Sequence, residues 1–217
     1  MVYGVGEYAK KLGVSRAAAY KRVRSGRIGA YRAGSQWVVP EAAIAVPKPS
    51  SRPMSPENAV RLLASLSGVD IEVPDPVVRR RIAEKLDRVR DGAVDPHRLW
   101  SWVRPRSARL ELSASPADIS DLLDDARLAR SGIADPRAGI AASGVVEGYV
   151  SPANVDAMVR DYLLVESERP NVWLHVADVP LDASGQVPIG FVIADLLDHG
   201  GPRELGQAER LLAVLAR

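Results

Sequence analysis

The chain has 217 residues, 47% hydrophobic and 26% charged, a composition that supports a folded core and excludes a disordered, collagen-like or disulfide-scaffold protein. It contains no cysteine, which excludes disulfides, thiolate nucleophiles and Cys-ligated zinc and makes a reducing cytoplasm the expected compartment. The net charge of +2 conceals a division: residues 1–52 carry ten basic and two acidic side chains, +8, whereas the remaining 165 residues carry 19 basic and 25 acidic, −6.

The chain opens on MVYGVGEYAKKLGV, which has no apolar run long enough for a signal peptide. No later window reaches the roughly 18 apolar residues of a membrane span, so neither export nor a membrane is expected. Tyr8, Ala9 and Leu12 form the apolar side of a first helix, ended by Gly13, after which Val14 points inward. Ser15 caps a second helix over residues 16–25. Ala19 and Val23, four apart, turn toward the first helix and leave Arg16, Ala17, Tyr20, Lys21 and Arg24 on the opposite face. Small residues at 17 and 18 give a slim leading turn flanked by donors, which suits a major groove about 12 Å wide. Tyr20 has two readings, a contact on that face or a partly buried aromatic. Gly26 ends the helix, and extended runs over residues 28–32 and 36–39 form a basic hairpin through Ala33, Gly34 and Ser35 that reads as a wing. Pro40 and Glu41 open a short third helix containing Ile44.

The string GEYAKKLGVSRAAAYKRVRSGRIGAYRAGSQWVVPEAAI resembles the excisionase-type, MerR-like winged helix-turn-helix family. The likeness rests on an EAA-like first helix, a G-V-S turn, a Tyr-Lys-rich second helix, an S-G-R-I junction and a hairpin before a proline-led helix. Ala18 and Ala19 replace the bulkier residues common in that family. The resemblance covers about 45 of 217 residues. It implies double-stranded DNA as partner, with Ser15, Arg16, Ala17, Tyr20 and Lys21 facing bases or nearby phosphates, and Arg24, Arg27, Arg32, Ser35 and Gln36 contacting the backbone.

The segment AVPKPSSRPMSP, residues 45–56, holds four prolines and three serines and reads as a semi-rigid spacer. It divides a DNA-binding domain, residues 1–46, from a larger domain, residues 55–217, with residues 47–54 as linker. Ser-Pro or Asp-Pro pairs at Ser55, Asp75, Asp95, Ser115, Asp135 and Ser151 are helix-start signals, because the cap satisfies an orphan N–H and proline has none. Apolar residues recur at helical spacing after three of them: Val60, Leu62, Leu63 and Leu66; Val78, Ile82, Leu86 and Val89; Ile119, Leu122, Leu123 and Ala126. Strands are expected over residues 109–112, 145–150, 163–166 and 171–177, the last with Val172, Leu174 and Val176 alternating with Trp173 and His175. Helices over about 189–198 and through Leu211, Leu212 and Leu215 flank the break at Gly200, Gly201 and Pro202. The expected fold class is therefore α+β and helix-rich, a small winged helix-turn-helix domain followed by a larger, mostly helical domain with a small sheet.

Charge clusters in the larger domain have two readings each. Arg79, Arg80 and Arg81 are an exposed helix face or, lying just behind the linker, an aid to phosphate contact. Asp118, Asp121, Asp124 and Asp125 complement a helix dipole or offer an acidic surface to a basic partner. Asp195 and His199 share a helical face and suit a metal or an acid/base pair, yet a helix C-terminus with His199 on the dipole and Gly200 as terminator explains the same residues. His175 lies in a strand, and His97 reads as surface. No glycine-rich phosphate loop, G-x-S-x-G elbow or H-E-x-x-H pair occurs, so no catalytic residue, metal or cofactor is assigned.

A second resemblance joins the basic N-terminus to VVEGYV, YLLVE, PNVWLHVAD and IADLLDHGGPRELGQAERLL: the whole is similar to antitoxins of the abortive-infection class. The matching phrases fall at Asn171 to Val176 and Ala194 to Glu204. That resemblance implies an autorepressor, with a cognate toxin as a further partner. The expected function is a sequence-specific transcriptional regulator, a repressor or autorepressing antitoxin acting as a homodimer. The alternatives are an excisionase-like architectural factor and a DNA-tethered enzyme using Asp195, His199 and His175.

Overall fold

A computed structural model describes residues 2–12, 15–24, 30–33, 36–40 and 53–216. The chain divides into two compact units, Met1–Ser50 and Ser51–Arg217.

In the first unit, strand β1 (Val2–Gly4) leads into α1 (Val5–Leu12), followed by α2 (Arg16–Arg24), β2 (Tyr31–Ala33) and β3 (Gln36–Pro40). The three strands form an antiparallel sheet in the order β1-β3-β2. Helix α1 is strongly two-faced, with Tyr8 and Ala9 buried against Ala19 and Val23 of α2 and Val39 of β3. The first residues form a strand, which the short VYG run does not advertise, and Pro40, expected in the first turn of a helix, pairs with Val2 as the last residue of β3. The expected helix around Ile44, the turn residues Gly13 and Val14 and the junction at Gly26 lie outside the described residues.

The second unit begins with α3 (Pro56–Leu66), α4 (Pro76–Arg90) and α5 (Pro96–Val103), all opened by the anticipated proline. Asp75 accepts from Val77 N–H and Asp95 from Arg98 N–H, satisfying orphan donors of α4 and α5. Met54, within the expected linker, donates its N–H to the Trp102 carbonyl (3.1 Å) and so packs with this unit. A five-stranded sheet follows, built from β4 (Ala108–Ser113), β5 (Leu128–Arg130), β6 (Val146–Val150), β7 (Val165–Glu166) and β8 (Val172–Val176) in the order β5-β6-β8-β4-β7. Only β6 and β8 run parallel. Helices α6 (Ile119–Asp124) and α7 (Val155–Asp161) are inserted between strands, and α8 (Ile189–His199) and α9 (Pro202–Leu215) close the unit.

The remaining helix-start pairs act more weakly than expected. Ser115-Pro116 opens a turn and α6 begins only at Ile119; Asp135-Pro136 yields a single 3-10 turn; Ser151-Pro152 precedes α7 by a turn. Strand β5, in an unremarkable Leu-Ala-Arg run, had no sequence signal. The strand expected over residues 163–166 shrinks to two residues because Leu163 adopts a left-handed conformation (φ 50°) as the chain leaves α7.

Two apolar cores lie on opposite sides of the sheet. One face carries Leu112, Val146, Val150, Val172 and Leu174 and packs with Ile119, Leu122 and Met158 of α6 and α7. The other core belongs to the helices, with Leu62, Leu63, Leu99, Trp102, Phe191, Ile193 and Leu212 at its centre. Helix α8 is apolar nearly all round and buried from Gly190 to Leu197, as a helix inside a core must be. At Gly190 the α3 backbone comes so close that a Cβ would stand 2.6 Å from the Leu63 carbonyl oxygen and 2.8 Å from Ser67 Oγ.

Gly190→Ala is therefore expected to destabilise the second unit by about 1–3 kcal/mol through overpacking. Gly206→Ala, in α9 with open space at its Cβ, is expected to stabilise by roughly 0.5–1 kcal/mol. Urea unfolding of both variants checks the pair.

Candidate nucleic-acid interface and a buried polar centre

The interface is built on α2. Ser15 Oγ accepts from Ala18 N–H (3.2 Å), capping the helix as its position suggests. Ala19 and Val23 are buried, so the helix rotation is set, and Ser15, Arg16, Ala17, Tyr20 and Lys21 are all exposed. Tyr20 is 47% exposed, which places it on the outer face rather than in the core. A groove of about 700 Å³ brings Arg16 and Tyr20 together with Gln36 and Trp37 of β3 and Lys10 of α1. Gln36 thus joins the α2 residues across the fold. Arg24 and Arg32 belong to α2 and β2, but their side chains, like all of Arg27 and Ser35, lie outside the described residues.

The second unit holds a different arrangement, and the strand pattern explains it. Facing the helical core, opposite the apolar side, the sheet carries Arg109 and Glu111 of β4, Glu147 and Tyr149 of β6 and Trp173 and His175 of β8; register pairs Tyr149 with His175 and His175 with Arg109. The alternation expected in β8 is real, but its second face meets α8 instead of water. His175 is consequently fully buried.

Arg106, in the 3-10 turn before β4, enters this layer and is itself buried. Its guanidinium donates to both Asp195 and Asp198 of α8 and, from Nε, to Tyr149 Oη (2.8 Å). Tyr149 Oη donates to Asp195 Oδ1 (2.8 Å), and Ser131 Oγ donates to the other oxygen of Asp195. Trp100 Nε1–H completes Asp198 at 2.6 Å. Burial pushes the Tyr149 hydroxyl well above its ordinary range. Burial alone would lower Arg106, yet its polar neighbours, Tyr149 and then Asp195 and Asp198, raise it well above the usual value.

Glu147 is the second hub. Its oxygens receive His175 Nε2 (3.0 Å), His199 Nε2 (2.9 Å) and the Ile133 N–H (2.7 Å). Burial raises a carboxyl pKa, but the hydrogen bonds from His175 and His199 outweigh it and hold Glu147 down at about 2. The other ring nitrogen of His175, Nδ1, lies 3.3 Å from Ser107 Oγ. Gly132 must lack a side chain here: at φ 52° its Cβ would stand 1.9 Å from Glu147 Oε2.

Asp195 and His199 do lie on one helix, as expected, but they do not form a pair. Asp195 serves Arg106, Tyr149 and Ser131, while His199, the last residue of α8, serves Glu147 ahead of a left-handed Gly200. His175, Asp195 and Asp198 bring three ligand atoms within 4.8 Å of one another. A cation held there would compete with the Arg106 guanidinium that already bridges both aspartates. Sequence reading missed Arg106, Ser131, Glu147 and Tyr149, since their side-chain partners lie 28 to 92 residues away. The one available signal was Glu147 inside an otherwise apolar strand. The acidic cluster is also partly spoken for: Asp124 pairs with Arg130, and Asp125 with Arg127, whose hydrogen bonds hold that carboxyl far below its ordinary range. His97 is exposed, as expected.

A family model described as a helix-turn-helix domain matches residues 2–45, so the first unit contains a helix-turn-helix, a motif that suits DNA binding. No curated protein and no solved structure matches the chain. Among the described residues no helix is long and apolar enough to cross a membrane.

Asp195→Ala leaves Arg106 buried with one partner removed and is expected to cost roughly 3–5 kcal/mol in urea unfolding. Because Glu147 titrates near about 2 in place of its ordinary 4.5, its contribution is complete above pH 4.5 and is lost as pH falls toward about 2. Glu147→Gln is expected to flatten that acid limb of stability, read from thermal unfolding across the acid range.

Proposed function

We propose that the protein is a sequence-specific, DNA-binding transcriptional regulator that inserts α2 into the major groove. The observation carrying this reading is the division of α2: Ala19 and Val23 are buried, while Arg16, Ala17, Tyr20 and Lys21 stand exposed together on a capped helix. Ala17 keeps the leading turn slim between Arg16 and Lys21, which supply donors to base edges or phosphates. Gln36, and Arg32 on β2, extend the contact as a wing, with Arg24, Arg27 and Ser35 on the backbone. The +8 of residues 1–52 supplies the sequence-independent attraction.

Within this reading the protein is a repressor of its own promoter, acting as a homodimer in the cytoplasm, and the antitoxin role rests on the resemblance in the second unit alone. The excisionase-like alternative is less favoured, because an architectural factor needs little beyond the first unit and this chain devotes Ser51–Arg217 to a second one. A DNA-tethered enzyme is also less favoured. His175 is fully buried and Asp195 is saturated by Arg106, Tyr149 and Ser131, so the centre acts as an internal polar clamp.

Footprinting on the gene's own promoter tests the proposal, with protection at moderate salt as the expected result. Arg16→Ala is expected to weaken binding to the protected site by about 1–3 kcal/mol and to relax its sequence preference. Equal losses on protected and scrambled duplexes would move Arg16 from base contact to phosphate contact.

A further inference from the structure

The second unit distributes its charge unevenly. Residues 53–106 hold ten basic and eight acidic side chains, whereas residues 107–217 hold nine basic and 17 acidic. Pairing is uneven as well. In the later segment Arg109, Arg127, Arg130, Arg137 and Arg203 each meet a carboxylate, and Arg160, Arg169 and Arg210 are the described exceptions. On α4 and α5 the pattern reverses: Arg80 is paired with Glu84, but Arg81, Lys85, Arg88 and Arg98 meet no carboxylate among the described residues.

Three of these cations gather around one buried indole. Lys85 Nζ lies 3.7 Å from the centroid of Trp102, and the guanidinium carbons of Arg88 and Arg98 lie 5.7 and 5.8 Å from it. The ring face offsets some of the repulsion between them. Burial, then Arg88 and Arg98, lower the Lys85 pKa, and only Glu84 opposes them. Arg98 Nε is buried without an acceptor. Beside the group, a hollow of about 380 Å³ brings Arg81 and Lys85 together with Ser55 and Asn58. Arg81, Lys85 and Arg88 recur at i, i+4 and i+7 on α4, and Arg81 to Arg88 spans roughly 10 Å of helix axis. That length matches the axial rise of about three nucleotides of one strand of duplex DNA.

We infer that the second unit has its own contact face for the phosphate backbone of duplex DNA, formed by Arg81, Lys85 and Arg88 of α4 and Arg98 of α5. Backbone phosphates supply the acceptors that this cluster lacks, and the acidic remainder of the unit repels DNA and so directs it to this face. The inference deepens the DNA-binding reading and rests on it. The contact is sequence-independent: it adds affinity and salt dependence, while α2 carries preference.

The test is the salt dependence of full-chain binding to a labelled random-sequence duplex of roughly 30 base pairs. Each phosphate contact contributes about 0.9 to the slope of log K against log salt, so Arg81→Ala/Arg88→Ala is expected to make it shallower by about 2. Arg81→Lys/Arg88→Lys retains the slope, as does Arg160→Ala/Arg210→Ala, which removes two unpaired cations elsewhere; thermal unfolding verifies that each variant is folded. An unchanged slope in Arg81→Ala/Arg88→Ala, beside a shallower one in Arg16→Ala/Lys21→Ala, overturns the second contact and leaves α2 intact as the interface. Equal loss in Arg160→Ala/Arg210→Ala overturns it in favour of net charge alone. Full slope in the Arg16→Ala/Lys21→Ala variant overturns α2 as the interface, and no binding of the unaltered chain to duplex DNA overturns the DNA reading itself.

Discussion

The second unit depends on the ion pair between Arg106 and Asp195. Both side chains are buried between two apolar layers, and each is tolerable there only because the other is present. Arg106 comes from the turn that feeds β4, Asp195 from the middle of α8, and Tyr149 from β6 touches both. One contact therefore ties the helical layer to the sheet at a fixed register. Glu147 repeats the device one strand position away, joining β6 to His175 of β8 and His199 of α8. Pairs of this kind contribute less net stability than apolar replacements would, and what they supply here is alignment: sliding α8 along the sheet would strand several buried charges at once.

That arrangement gives the two units different characters. The first is small, basic and organised around a helix whose outer face is free. Among the described residues its core holds Tyr8, Ala9, Ala19, Val23 and Val39, which orient α2. The second unit has two full cores and an internal polar layer, and its chemically suggestive residues spend their hydrogen bonds on one another. The polar residues at the centre of the second unit thus bond to one another, while Arg16 and Lys21 of α2 and Arg81 and Arg88 of α4 stand exposed.

Much of this was legible in the chain. The two helices of the first unit, the inward turn of Ala19 and Val23, the proline-led starts of α3, α4 and α5 and the closing helices α8 and α9 follow from local rules, capping and apolar spacing, that need no distant partner. Where those rules were weak the reading drifted. Strands β1 and β5 are three residues each and exist because a neighbouring strand pairs with them. Leu163 left the expected strand because the end of α7 required a left-handed residue there. Residue type did not reveal the role of Asp195 and His199 either, since spacing on one helix says that two side chains share a face but not what that face meets.

Sequence alone determined the charge division, the helix-turn-helix with its outward basic face, and the helix-rich α+β class, because composition, capping and periodicity act within a few residues. Tertiary structure alone decided which polar residues are spent. Arg106, Ser131, Glu147, Tyr149, His175, Asp195 and Asp198 meet across as many as 92 residues of chain, while Arg81, Lys85, Arg88 and Arg98 meet no carboxylate among the described residues. The physical reason is that a charge acquires its meaning from the dielectric and the partner around it. Both are properties of where the chain folds back on itself, not of the residues on either side.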